Sequence, residues 1–150
     1  MDENIQILEK KINTFNKLYE TSKLNNSVND MELTECLYDI LGWFEVCLKK
    51  ITTLDKVEDE KISGIRFANN IKKHSTSLFR YTLQTFALFP SGSLFPSENL
   101  YPSDFNIFWN SLPLDNVKYK NQYNNYVKHF KDKDLYPTLN EIFAIIKKYY

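Results

Sequence analysis

Apolar side chains recur every three or four residues through the first half of the chain, which is the spacing of one face of an amphipathic helix. The first such series runs from Ile5 to Tyr19 and gives way to the polar run 22–30. A second series follows Asn29 and Glu32, which have the spacing of a helix N-cap and its capping partner. We therefore predict a first helix that ends within the polar run and a second helix from Asp30 to about Lys50.

The next apolar series extends much further along the chain. Asp55 and Glu58 repeat the N-terminal signal of a helix, and apolar residues then continue at helical spacing as far as Phe86. Pro90 is the first residue that must interrupt a helix. This pattern predicts one long third helix that ends at Pro90.

Prolines and aromatic residues concentrate in the segment 90–115. Four of the five prolines lie there, and Phe or Tyr followed by Pro-Ser recurs three times, at Phe89, Phe95 and Tyr101. So many aromatic rings need apolar neighbours to cover them. We predict an ordered loop that packs on the helices and contains a short helix near Asp104–Asn110.

Two more helices complete the predicted fold. Asp115 is placed to cap a fourth helix, and Pro137 to open a fifth that ends in the sequence IFAIIKKYY. A chain of 150 residues with 43% apolar residues suits one domain with a single core. We predict one all-α domain over 1–150, an antiparallel bundle of four to five helices with a long aromatic, proline-rich loop and helices two and three as its central pair.

Charge and apolar content limit the partners that this chain recruits. The 19 basic and 19 acidic residues cancel, so no global field attracts nucleic acid, although acids prevail in 1–63 and lysines in 116–150. No apolar run approaches the length of about 20 residues that a membrane span needs. The acidic, amphipathic start is unlike a signal peptide. We expect a cytoplasmic protein that does not enter a membrane.

One series of polar residues has side chains that suit phosphate binding and proton transfer. Arg66, Asn70 and His74 follow one another at steps of four residues on the predicted third helix, so their side chains form a stripe. Arginine holds phosphate oxygens with two hydrogen bonds, and histidine transfers protons near neutral pH. The stripe therefore suits a phosphodiester. A solvated helix face, or side chains that satisfy a neighbouring helix, explains the same three residues.

The segment 61–74, KISGIRFANNIKKH, resembles the Gly-Leu-Arg-Tyr-Ala-Arg-Asn-x-x-x-His motif of a bacterial branch of HEPN domains. A Leu-Phe-Pro-Ser segment, Trp109, Leu112-Pro113, Tyr123 and the terminal helix extend the similarity over about 35–150. The resemblance implies a helical bundle that forms homodimers. It also implies a metal-independent ribonuclease of toxin–antitoxin, abortive-infection or CRISPR-linked defence systems.

Transfer of that motif residue by residue shows one departure. The catalytic arginine corresponds to Asn69, the polar residue after it to Asn70, and the histidine to His74. Asparagine supplies no charge to a phosphate in its transition state, and Arg66 begins about 4.5 Å further back along the helix axis. We therefore expect RNA or nucleotide binding with weak or no ribonuclease activity, and without a cofactor or metal.

The alternative that the sequence leaves open is a catalytically inactive interaction module. Such a module would act as an inhibitor, an antitoxin or a structural subunit whose protein partner is encoded by a neighbouring gene. The replacement of the arginine by Asn69 favours this alternative, whereas the presence of Arg66, Asn70 and His74 favours ligand binding.

Other candidate sites have less support. Glu35, Asp39 and Glu45 have no Glu-x-x-His companion that would complete a di-metal site. Cys36 and Cys47 lie about 16 Å apart along one predicted helix, too far for a disulfide, and read as reduced core thiols rather than nucleophiles.

The aromatic residues of the predicted loop are a further candidate, since rings stack on unpaired bases. The five rings concerned are Phe95, Tyr101, Phe105, Phe108 and Trp109. Stacking surfaces normally lie among Lys and Arg, but 87–115 contains no basic residue. A packing lid or a protein interface is the favoured interpretation.

Overall fold

The computed structural model describes residues 2–25, 27–72, 77–84 and 104–150. Most of these residues are helical, in agreement with the predicted fold class. The five α-helices are α1 (Glu3–Asn25), α2 (Asp30–Leu48), α3 (Lys56–Ile71), α4 (Lys120–His129) and α5 (Leu135–Lys148). A 3-10 turn (Val117–Tyr119) precedes α4, and two strands, β1 (Phe79–Gln84) and β2 (Asp104–Trp109), form a small antiparallel sheet.

The first two helices confirm the prediction made from the apolar periodicity of the sequence. α1 ends at Asn25, within the polar run, and α2 begins at the predicted Asp30. The side chain of Asn29 caps α2 by accepting a hydrogen bond from the backbone N–H of Glu32 at 3.1 Å. The apolar faces of α1 and α2 pack against each other and form one side of the core.

The third helix is shorter than predicted. Asp55 and Glu58 form the expected capping box, but α3 ends at Ile71. The prediction of a continuous helix to Pro90 was wrong, because 79–84 is a strand. Its sequence, FRYTLQ, alternates apolar and polar side chains and contains the aromatic and β-branched residues that favour strands. Over so few residues, this pattern also fits helical spacing.

The prediction of a short helix near Asp104–Asn110 was also wrong. These residues form β2, which pairs with β1 from Phe79 opposite Trp109 to Gln84 opposite Asp104. Ile107 and Trp109 point into the core, which is the alternation of a strand with one buried face. Residues 85–103, which include the first part of the predicted loop 90–115, lie outside the described residues.

The last two helices exist as predicted but begin at other residues. Asn116, rather than Asp115, caps the 3-10 turn by accepting a hydrogen bond from the backbone N–H of Lys118 at 3.0 Å. α5 begins at Leu135, so Pro137 lies within its first turn, where a missing N–H breaks no helical hydrogen bond.

An aromatic cluster joins α3, α4 and β2. α3 packs chiefly on α4, at a close approach where Gly64 faces Phe130. The rings of Trp109, Tyr126 and Phe130 contact one another and are almost fully buried. The ring of Phe67 on α3 lies 5.8 Å from that of Tyr126 between centroids, so the cluster packs α4 against α3.

Candidate functional site

Arg66 joins two helices. Its Nε lies 3.0 Å from Glu45 Oε1, and the two side chains, 41% and 32% exposed, connect α3 to α2. The Glu45 carboxylate therefore lies beside the guanidinium and offsets part of its charge. An arginine paired in this way has less charge to offer to a phosphate.

Asn70, one turn further along α3, contacts a different helix. Its Nδ2 donates a hydrogen bond to Gln122 Oε1 of α4 at 3.1 Å. The predicted polar stripe therefore divides between two neighbours, since Arg66 engages α2 and Asn70 engages α4. The two side chains do not contact a common partner within the described residues.

Asn69 lies between these two positions on α3, and its carboxamide oxygen is buried. No described group donates a hydrogen bond to this Oδ1 atom. A buried acceptor without a donor costs free energy, about 1–3 kcal/mol in mutational data. At the position where the resemblance places an arginine, the chain thus has an uncharged carboxamide whose oxygen is buried.

His74, the proposed proton-transfer group, lies outside the described residues. The last described residue before it is Lys72, whose Nζ donates a hydrogen bond to the backbone oxygen of Tyr38 at 3.1 Å. Among the sequence-predicted site residues, the described set is thus Arg66, Asn69 and Asn70.

A cleft of about 390 Å³ opens beside Asn70. This volume falls within the range of about 300–1,000 Å³ that is typical of small-molecule sites. α3 supplies one wall and the segment before α4 supplies the other. The lining residues are Phe67, Asn70, Ile71, Asp115, Asn116 and Tyr119.

Lysines flank the outer wall of this cleft. Lys118 and Lys120 are exposed on either side of Tyr119, and Lys118 Nζ lies 5.6 Å from the centroid of the Tyr119 ring. The sequence 116–131 contains four lysines and one histidine but no acidic residue. Of these, Lys118 and Lys120 place two exposed positive charges just outside the cleft, although the chain as a whole is neutral.

A second cleft, of about 310 Å³, lies beside β1. Its charged groups already have partners: Tyr81 Oη donates to Asp30 Oδ2 at 3.3 Å, and Arg80 pairs with Asp132 at 3.1 Å. Arg80 also donates to the backbone oxygen of Trp109 at 3.2 Å. The charged side chains of this second cleft therefore stabilise the small sheet.

The carboxylates proposed as a metal alternative are divided among separate contacts. Asp39 pairs with Lys11 at 3.2 Å and Glu45 with Arg66, whereas Glu35 is exposed. In the described ranges, no group of three His, Cys, Asp or Glu residues is arranged to hold a metal ion.

The cysteines are poor nucleophiles in this fold. Cys47 is buried and Cys36 half-buried, and both thiols are free. Burial raises the pKa of each thiol, which keeps the unreactive protonated form at neutral pH.

The aromatic residues of β2 face different environments. Trp109 is buried, and its Nε1 donates to Thr138 Oγ1 at 2.6 Å, so it is a core residue and not a stacking surface. Phe108 is half-buried, with the Arg80 guanidinium 5.3 Å from its ring centroid. Phe95, Tyr101 and the side chain of Phe105 fall outside the described part of the chain.

The second histidine takes part in a cluster that sequence reasoning did not single out. His129 Nε2 and Lys128 Nζ, both on α4, each lie 2.9 Å from Glu60 Oε2 on α3. Hydrogen bonds from Lys128 and then His129 lower the pKa of Glu60 to about 2. The cluster fastens α3 to α4 at the end opposite the cleft.

Sequence reasoning also missed the wall of the cleft opposite α3. Asn116, Tyr119 and Gln122 lie about 50 residues beyond Asn70 in the chain, and only the packing of α4 on α3 brings them to it. The available signal was local: a lysine-rich stretch that lacks acids and contains an aromatic residue between two lysines.

No protein family, curated protein or solved structure matches this chain. Among the described residues, no helix has the length and apolar character that crossing a membrane requires.

Proposed function

We propose that this protein is a HEPN-like domain that binds RNA or a nucleotide in the cleft beside Asn70 and has little or no ribonuclease activity. The observation that carries this proposal is the position of the cleft. It opens at the end of the helix that bears the motif-like segment, and exposed lysines border it.

The proposal separates binding from cleavage on electrostatic grounds. Arg66 is paired with Glu45, and Asn69 brings no charge. Lys118 and Lys120 are exposed on either side of Tyr119, outside the cleft, where their charges attract phosphates. Binding therefore has a source of positive charge, whereas stabilisation of a phosphorane has lost its arginine.

The biological setting follows from the resemblance alone. HEPN-like domains of this type suggest a defence, toxin–antitoxin or mobile-element system in which the protein acts as a cytoplasmic homodimer.

Fluorescence anisotropy with a labelled single-stranded RNA tests the binding. We expect the double variant Lys118→Ala/Lys120→Ala to bind the RNA several-fold more weakly. Its affinity should also depend less on salt, because a protein with fewer lysines releases fewer counterions from the RNA on binding. Lys17→Ala, an exposed lysine of α1, is the matched control and should bind like the wild type. Equal affinity of all three proteins would contradict the proposal.

A cleavage assay with the same RNA tests whether the protein lacks strong ribonuclease activity. The wild type should cut poorly, and Asn69→Arg should restore part of the activity if the variant remains folded by circular dichroism. Efficient cutting by the wild type that His74→Ala abolishes would instead make Arg66 the working cation.

An interaction module is the second candidate function. Leu24 and Met31 are 85% and 73% exposed, and they flank the connection between α1 and α2. Apolar side chains in such a position favour a protein partner. If RNA does not bind, co-purification with the product of a neighbouring gene, lost in Leu24→Ser/Met31→Ser, is the expected result.

A further inference from the structure

We infer that the cleft beside Asn70 selects a guanine base, with Asp115 as the residue that recognises it. This inference rests on the proposed function and names the chemical class of its ligand.

The lining of the cleft suits a base better than a phosphate. Its polar members are one carboxylate and two carboxamides, those of Asp115, Asn70 and Asn116, and no lysine or arginine is among its lining residues. A phosphate next to the Asp115 carboxylate would meet like charge. The lysines stand outside, so the backbone of a bound nucleotide lies at the rim and the base lies within.

The carboxylate discriminates among the four bases. Asp115 is exposed and forms no hydrogen bond or ion pair with any described residue, so both of its oxygens are available to a ligand. An ionised carboxylate only accepts hydrogen bonds. The Watson–Crick edge of guanine presents two adjacent donors, N1–H and the 2-amino group. Uracil presents one donor between two acceptors, and adenine and cytosine each place an acceptor beside their amino group.

The neighbouring carboxamides supply the complementary groups. Asn116 Oδ1 already accepts from the backbone N–H of Lys118, which leaves its Nδ2 donors for the O6 and N7 acceptors of guanine. Asn70 Nδ2 donates to Gln122, which leaves its Oδ1 as a further acceptor. The cleft thus offers a carboxylate and a carboxamide oxygen as acceptors, and both N–H groups of Asn116 Nδ2 with the second N–H of Asn70 Nδ2 as donors.

The remaining walls match the faces of a flat ring. Phe67 and Ile71, 2% and 4% exposed, form an apolar floor, and Tyr119 is half-buried at the side. Stacking on an aromatic ring is largely independent of the base. Tyr119 therefore contributes to affinity, and Asp115 and Asn116 contribute the choice of base.

Isothermal titration with GMP, IMP, AMP, CMP and UMP tests the inference. In the wild type we expect GMP to bind about tenfold more tightly than UMP, the effect of a good pair of base hydrogen bonds. IMP, which lacks the 2-amino group, should fall between them. Asp115→Asn should reduce the preference to within about threefold, because one carboxylate oxygen is replaced by a donor.

Two further variants serve as controls. Glu20→Gln neutralises an exposed carboxylate of α1, which contributes no residue to the cleft, and should retain the wild-type preference. Tyr119→Ala should weaken the binding of all five nucleotides without changing their order, because it removes the stacking ring.

The outcomes separate this inference from the proposed function. If a single-stranded RNA of mixed sequence binds but GMP, IMP and UMP bind equally, or if Asp115→Asn retains the preference for GMP, guanine recognition is overturned and RNA binding stands. If neither RNA nor any nucleotide binds, the proposed function fails and guanine recognition fails with it.

Discussion

Gly64 sets the distance between α3 and α4. A Cβ atom at this position would lie 2.8 and 2.9 Å from two carbons of the Phe130 ring and 3.1 Å from the backbone of Asn125. The ring is buried in the aromatic cluster and has little room to move. We expect Gly64→Ala to lower the free energy of unfolding by about 1–3 kcal/mol, as overpacking does, measured by urea denaturation.

Gly42 provides the matched control because it also lies within a helix. The nearest atom that a Cβ there would meet is Lys72 Nζ, at 3.8 Å, which is ordinary contact. Gly42→Ala should therefore raise the free energy of unfolding by about 0.5–1 kcal/mol through helix propensity alone. A change of the same sign in both variants would show that helix spacing is not limited at Gly64.

Glu60 makes the stability of the protein depend on pH. Its pKa is lowered from 4.5 to about 2 by Lys128 and His129, so the folded state holds fewer protons than the unfolded state between these values. The stabilisation is fully present above pH 4.5 and is lost as the pH falls toward 2. The difference in free energy of unfolding between the wild type and Glu60→Gln should therefore shrink over this range.

Equilibrium denaturation of both proteins at several pH values measures that difference. A stability difference that stays constant down to pH 2 would contradict the assignment of the contact between α3 and α4 to the ionised carboxylate.

Individual polar contacts lay beyond what the sequence could predict. Periodicity places Arg66 and Asn70 on one helix correctly, since that depends only on spacing within a local segment. Their partners, Glu45 and Gln122, lie 21 and 52 residues away and are chosen by helix packing. A spacing of four residues therefore could not show that the two side chains serve different neighbours.

The difference between the predicted third helix and the observed β1 arises at the level of the element. A strand in isolation is not stable, and β1 exists because β2 satisfies its backbone. Leu78 and Phe79 are buried apolar residues, as the helix prediction also requires, so hydrophobicity alone does not distinguish a strand from a helix here. The helices of the N-terminal half were predictable because their caps and apolar periods are contained in the segment itself.

The Trp109 side chain joins β2 to α5 through a partly buried hydrogen bond, from Nε1 to Thr138 Oγ1. Thr138→Val keeps the shape but leaves the indole N–H without an acceptor, which should cost about 1–3 kcal/mol of unfolding free energy. Because the two groups interact directly, Trp109→Phe should lower the free energy of unfolding by less in the Thr138→Val variant than in the wild type.

A double-mutant cycle of thermal or urea unfolding measures this coupling. Strictly additive effects of the two substitutions would mean that the hydrogen bond does not join the strand to the helix.

For the molecule as a whole, the predominance of helix followed from the apolar pattern and from the scarcity of glycine and proline outside one segment. The small sheet did not, because its two strands are separated by residues 85–103 and strand pairing depends on contacts distant in sequence. The cleft has the same origin: one wall comes from α3, and the other comes from a segment whose position depends on the whole core.

Assembly is the last prediction at this scale. The HEPN-like proposal implies a homodimer in which the faces that bear the motif approach each other. Sedimentation velocity at micromolar concentration should therefore show a species of twice the 17.8 kDa chain mass. A single species at the chain mass would remove the dimeric groove and leave the cleft of each chain as the binding site.

The contact between Gly64 and Phe130 also constrains evolution. Any substitution at Gly64 adds at least a methyl group toward the ring, so descendants of this sequence that keep an aromatic residue at 130 must keep glycine at 64. A lineage that replaces Phe130 by a smaller side chain loses the two shortest of these contacts and keeps only the 3.1 Å approach to the backbone of Asn125, so alanine at 64 becomes less costly. Covariation of these two positions would therefore identify relatives that share the α3–α4 packing even after the motif-like residues have diverged.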